Sequence, residues 1–158
     1  MYYIYYPDGR RKSIDLNDLY ANEAVFLICG APSVKNENLK LLQKRGVVTL
    51  TMNNAGEMVK SNLWVGGDKP ECYSKRILMD PSILKFVNMG KRDMLVGDVP
   101  WKLMPATVFY PCSEQFSEAN FLNYDRDLVW WKNTFFIALQ LSWRLGLEPS
   151  ISWVRNSE

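Results

Sequence analysis

No histidine occurs among the 158 residues. That excludes a Ser-His-Asp or Cys-His catalytic unit, an imidazole metal ligand and a histidine general base. Proton transfer is left to Asp, Glu, Lys, Tyr or Cys. Cys29, Cys72 and Cys112 form no C-x-x-C pair, so neither a zinc ribbon nor a redox dithiol is encoded. Cys29 sits inside an apolar run and Cys112 follows one, which predicts buried free thiols in a reducing, cytoplasmic compartment.

The sharpest local feature is Gly30-Ala31-Pro32-Ser33, directly after the apolar run Val25 to Cys29. In an open α/β sheet, ligands bind beyond the carboxyl ends of the strands, in the loop entering the next helix. Gly30 would let a ligand approach the backbone, Pro32 would stiffen the turn, and Ser33 could cap a helix and donate to a phosphate. The helix N-terminus would add exposed N–H groups and a positive dipole end. The loop is neither G-x-G-x-x-G nor a Walker loop, and an ordinary Ser-capped turn explains the same residues. Two further strand ends carry polar residues. Asn53-Asn54 could offer donors and acceptors to a base or sugar edge. Asp68, after Gly66-Gly67, could hold a ribose hydroxyl or a metal-bound phosphate, and is the candidate catalytic group. Each also has a bland reading, as turn-forming Asn or helix-capping Asp. In a parallel sheet all three ends share one edge, and it is their convergence that points to a pocket.

The elements that must position these residues follow from the hydrophobic pattern. Tyr2 to Tyr6 is β-prone, Asp8-Gly9 supplies a φ > 0 turn, and Arg10 to Ile14 can pair back, so residues 1–14 read as a β-hairpin. An isolated hairpin is marginal, so it must pack on the body or on another chain. Its strand edge makes a homo-oligomer contact one expectation. From Ala24 strand and helix alternate. Strands are expected at 25–29, 47–52 and 63–65, with a helix over 36–45 closed by Gly46 and a short helical segment over 55–61. Two more strands are read at 83–87 and 107–110, and residues 113–131 are irregular. A helix follows over 133–145, capped by Gly146, and a last strand at 151–154. The expected fold is α/β and Rossmann-like, a mostly parallel sheet with helices on both faces and an N-terminal hairpin. It forms a single domain over 1–158 with its core at 24–154.

Composition narrows the partners. Lys+Arg 19 against Asp+Glu 17 is too balanced for nucleic acid, which demands a basic face. Arg10-Arg11-Lys12 and Lys91-Arg92 read as solvated surface, although either could bind phosphate. Trp130-Trp131 reads as a core or interface anchor. No apolar stretch reaches the roughly 18 residues of a membrane span, and the N-terminus has no secretory pattern.

The run from Val25 to Asp68, VFLICGAPSVKNENLKLLQKRGVVTLTMNNAGEMVKSNLWVGGD, resembles the front of a known group. That group holds archaeal 6-hydroxymethylpterin diphosphokinases, motility-accessory glycosyltransferases and bacterial sialyltransferases. Its members open a Rossmann-like domain with a strand, a G-x-G-P-S-L loop, a helix and a strand ending in Asn. A later Asn-Ser/Thr-Gly turn opens a helix, and Asn133-Thr134-Phe135 with ALQLSWRLG is similar to it. The resemblance spans about residues 24–154. It implies that Gly30, Pro32 and Ser33 contact nucleotide phosphates, Asn53 and Asn54 the nucleoside, and Asn133 and Thr134 the far side of the cleft. The departures are concrete. The histidine base attributed to the sialyltransferases is missing, residue 135 is Phe where the turn has Gly, and the chain stops at Glu158 where such proteins usually continue.

The resulting expectation is a nucleotide- or nucleotide-sugar-binding, glycosyltransferase-like domain, compact or degenerate, as in a phage-encoded member that has lost a C-terminal region. Mg²⁺ accompanying the nucleotide is the cofactor to expect. One alternative is pyrophosphoryl transfer of the diphosphokinase kind, for which only Asp68 and Glu71 lie close enough to hold metal. The other is a non-enzymatic binding or assembly protein on an inherited fold.

Overall fold

The computed structural model of the chain describes residues 1–31, 34, 38–113, 127–130 and 133–150, with 149 and 150 described by backbone alone. Its centre is an eight-stranded sheet. Six strands run parallel: β3 (Ala24–Ile28), β4 (Val48–Met52), β5 (Leu63–Gly66), β6 (Leu84–Asn88), β9 (Thr107–Tyr110) and β12 (Glu148–Ser150). The hairpin of β1 (Tyr2–Tyr5) and β2 (Arg11–Ile14) extends the sheet antiparallel, β1 joining β9 at Tyr3 opposite Phe109. Spatial order is β12-β3-β4-β5-β6-β9-β1-β2. Strands β3 to β9 are thus laid down in chain order, and the chain then returns to place β12 outside β3. Smaller ladders pair β7 (Leu95–Val96) with β8 (Val99–Pro100), and β10 (Cys112–Ser113) with β11 (Leu128–Val129). The fold is therefore mixed α/β around a mostly parallel sheet.

The strand sequences dictate this burial. β4 and β5 are buried along their whole length, as expected of strands covered on both faces. Val25, Leu27, Leu50, Leu63 and Val65 point to one face and meet Ile137, Ala138, Leu141 and Leu145 of α2 (Thr134–Arg144). Asn133 caps α2, its Oδ1 accepting from Phe135 N–H at 2.9 Å, and Gly146 ends it at φ +73°, a conformation glycine adopts without strain. The opposite face is partly polar. Thr49 bonds Asn62, and the Thr51 and Ser61 hydroxyls lie 2.7 Å apart, so the burial of these hydroxyls is compensated.

Among the described residues, the helices expected on both faces are α2 on one face and little regular helix on the other. The second face carries α1 (Lys75–Leu78), four residues long, and a series of 3-10 turns. The helix expected over 36–45 is a 3-10 stretch at Leu39–Gln43 with no buried residue, and Leu41 is 51% exposed. Residues 36 and 37 lie outside the described residues. Three leucines at 39, 41 and 42 do not make a continuous helical stripe, so burial cannot offset the cost of nucleating a helix. The segment expected to be helical over 55–61 is a 3-10 turn at Asn53–Glu57. There a Cβ on Gly56 would come within 2.9 Å of Ile77 and 3.0 Å of Trp64, so this crossover lies against the core. The last strand begins at Glu148; the expected strand at 151–154 lies outside the described residues, as does most of 113–131. The thiols are also more open than expected. Cys29 and Cys72 are exposed and Cys112 half-buried, because Cys29 follows the last ladder residue of β3 and Cys72 ends a 3-10 turn that is anchored by its buried Pro70. No helix among the described residues is long and apolar enough to cross a membrane.

Candidate functional site

Parallel pairing sets the carboxyl ends of β3, β4, β5 and β6 side by side. Ile28 pairs with Thr51, Met52 with Val65, and Gly66 with Val87. Gly30, Asn53 and Gly67 therefore emerge along one edge, as the sequence predicts, and Asn88 at the end of β6 joins them. Chain order reverses between β3 and β12. The segment after β3 packs on one face, through Ala31 and Val34 against Ala55 and Val59, while α2, which leads into β12, lies on the other. Such a reversal is where α/β sheets take ligands, and Gly30 follows β3 at that point.

Asn53 is the hub of the edge. It follows β4 at φ +50°, a left-handed conformation that Asn tolerates better than most residues. That turn sends its side chain across the ends of β4 and β5. Its Oδ1 accepts from Gly67 N–H at 3.1 Å and from the Tyr73 hydroxyl at 3.1 Å. Its Nδ2 donates to Thr134 Oγ1 at 3.4 Å, and its carbonyl accepts from Trp64 Nε1 at 2.8 Å. A backbone N–H can only donate, so the amide oxygen must face Gly67 and the orientation of the amide follows. Asn53 thereby joins the ends of two strands to the first turn of α2. Its side chain is engaged within the fold, where the resemblance implies a nucleoside contact.

The next two residues of β5's exit are held with equal completeness. Gly67 N–H bonds Asn53, and Asp68 N–H donates to the Tyr73 hydroxyl at 2.6 Å. The Gly67 carbonyl accepts from Lys91 Nζ, as does the Asp68 carbonyl at 3.0 Å. All four backbone polar groups of this dipeptide are bonded to side chains, from three separate segments. Burial pushes the Tyr73 hydroxyl up to about 12, so it remains a donor to Asn53 at neutral pH. Desolvation also lowers the Lys91 ammonium from its usual range, against the pull of the nearby Asp68. The Asp68 side chain is exposed and accepts no hydrogen bond among the described residues.

The remaining predicted residues divide. Thr134 joins the cluster: a Cβ on Gly67 would lie 2.3 Å from its Oγ1 and 2.8 Å from Trp130. Trp130 thus packs over the strand end, while Trp131 lies outside the described residues. Asn133 serves as the cap of α2. Asn54 is exposed with no hydrogen bond of its own among the described residues, and Gly30 is exposed with nothing within 4 Å of an added Cβ. Ala31 is half-buried; Pro32 and Ser33 lie outside the described residues. Among the described residues no three Cys, Asp or Glu side chains group closely enough to hold a metal ion. Sequence reasoning did not single out Tyr73, and it placed Lys91 with Arg92 on the solvated surface. Only the doublet of cations marked Lys91, and nothing local marked Tyr73.

Chemically, the edge offers an exposed glycine after β3, an exposed carboxylate on a fully braced turn and a half-buried ammonium bonded to that turn. The chain matches no family model, no curated protein and no solved structure, so its own geometry carries the functional argument.

Proposed function

We propose that this chain is a nucleotide- or nucleotide-sugar-binding domain of glycosyltransferase-like, Rossmann-like design, with its cleft at the carboxyl ends of β3, β4 and β5. The observation that carries the reading is the Gly67–Asp68 turn. A surface turn needs no side chain on each of its backbone groups, since water would serve. A site that must hold a carboxylate in one place does need such support. Gly30 adds to it: its φ is outside the left-handed region and an added Cβ would meet only open space, so packing does not require a glycine there. Close approach of a ligand would. The resemblance of residues 24–154 to nucleotide-binding proteins supports the same placement, as does the reversal of strand order beside Gly30.

The test is thermal unfolding against CMP, CDP, UDP, GDP, AMP and ATP, with and without Mg²⁺. A ligand at about 100 times its Kd stabilises by roughly 2.7 kcal/mol, which raises Tm by roughly 5–11 °C for a domain of this size. Gly30→Ala should keep or slightly raise the unliganded Tm and lose most of the ligand shift. A shift confined to ATP with Mg²⁺ would move the assignment to pyrophosphoryl transfer. No shift with any nucleotide would overturn the reading in favour of a binding or assembly role.

A further inference from the structure

We propose that Lys91 is a positioning residue of this cleft, fixing the Gly67–Asp68 turn so that the Asp68 carboxylate receives hydroxyls of the ligand's sugar. The inference deepens the nucleotide reading and rests on it. Lys91 ends the 3-10 turn Met89–Lys91 that follows β6, and Asn88 secures that turn by accepting from Gly90 N–H at 2.7 Å. The ammonium is therefore delivered from a fixed base. It bonds the Gly67 and Asp68 carbonyls, which lie beyond the last residue of β5 and have no ladder partner. A lysine beside an aspartate ordinarily pairs with the carboxylate, yet the ion pairs among the described residues do not include Lys91 with Asp68. The carbonyls take the cation, and the carboxylate is left open.

The chemistry of that carboxylate selects its partner. Ionised, it only accepts hydrogen bonds, so it repels a phosphate and welcomes O–H donors. A divalent cation at the same point would be repelled by the nearby Lys91 ammonium, which bonds the Asp68 carbonyl. Of the parts of a nucleotide, the hydroxyls of the ribose fit best.

The experiment pairs hydrogen exchange with binding. In the unliganded protein, Lys91→Met should raise exchange at Gly67 and Asp68 N–H about tenfold or more, with the β4 amides unchanged, and Lys91→Arg should restore protection. Unchanged protection in Lys91→Met would overturn the positioning role whether or not any nucleotide binds. Titration then compares the ribonucleoside 5′-diphosphates with their 2′,3′-dideoxy counterparts. Wild type should favour the ribose form by about tenfold to a hundredfold, as expected of a hydrogen bond to a charged acceptor. Asp68→Asn and Lys91→Met should lose that preference. Binding without ribose preference would overturn the sugar assignment alone; no binding of any nucleotide would sink the nucleotide reading together with it.

Discussion

Gly67→Ala would test the construction of the strand-end cluster most directly. Gly67 has a φ outside the left-handed region, so an alanine there suffers no backbone strain and any cost is steric. The added methyl would stand 2.3 Å from Thr134 Oγ1 and 2.8 Å from the Trp130 ring, both well inside contact distance. Thr134 belongs to the first turn of α2 and accepts from Asn53, so it cannot retreat without loosening α2 from the ends of β4 and β5. Overpacking of this kind costs about 1–3 kcal/mol. For a chain of this length that lowers Tm by roughly 2–12 °C. Gly30→Ala is the matched control: an added Cβ meets nothing within 4 Å, and the expected change runs from none to a gain of about 1 kcal/mol. Urea denaturation of both variants, with Gly67→Ala repeated in a Thr134→Ala background, completes the measurement. Removing Oγ1 takes away the shorter contact, so the alanine at 67 should cost less there than in wild type. Equal stability of Gly67→Ala and wild type, or equal losses at 30 and 67, would refute the packing of α2 on the β5 exit.

Two other perturbations probe the groups buried elsewhere. Lys85, fully buried in β6, donates to the Asp80 carbonyl at 2.6 Å and the Ile83 carbonyl at 2.9 Å, and burial pushes it down to about 8 from its ordinary 10.5. The unfolded chain therefore binds more protons above pH 8, and stability should rise with pH from about 8. Tyr2 and Tyr73, both pushed up to about 12 by burial, oppose that rise above pH 10. Burial also raises the Cys29 thiol from its ordinary 9.0, which opposes the rise from about pH 9. The gain is thus read between pH 8 and 9, at about 1 kcal/mol, and Lys85→Met should flatten it in pH-dependent urea melts. Gln140, fully buried on α2, accepts from Val129 N–H at 2.8 Å and donates to the Val129 carbonyl at 2.9 Å, holding β11 as a neighbouring strand would. Gln140→Leu leaves both groups buried and unbonded, at a cost on the order of 2–4 kcal/mol; a Tm within about 2 °C of wild type would show that β11 is held by other means.

Which segments become the inner strands of the sheet was legible in the residues themselves, whereas β7, β8, β10, β11 and the strand at Glu148–Ser150 were not. Val25 to Ile28 is a continuous apolar run, and Val48 to Met52 sets β-branched threonines between apolar residues, both patterns of a strand. Asp8-Gly9 placed the hairpin turn, and the spacing of Ile137, Leu141 and Leu145 between Asn133 and Gly146 placed α2. Each is a local signal, carried by residues within one or two turns of one another. The strand ends could be predicted to share an edge because parallel pairing alone requires it. The crossovers were not legible: whether a leucine-bearing segment becomes an α-helix or a 3-10 turn depends on how much surface the sheet offers it, and Leu41 finds none. Nor was the cluster. Tyr73 is 20 residues from Asn53, Lys91 is 24 from Gly67, and Thr134 is 81 from Asn53. No periodicity spans such separations, and a lysine beside an arginine looks the same in sequence whether it faces water or two carbonyls. The sequence by itself determined the hairpin, the strands β3 to β6 and β9, and the polar residues that end β4 and β5. Only the tertiary structure decided that Asn53 turns inward as a clasp while Asp68 is held open, because that choice rests on which backbone groups the end of β5 leaves without a ladder partner.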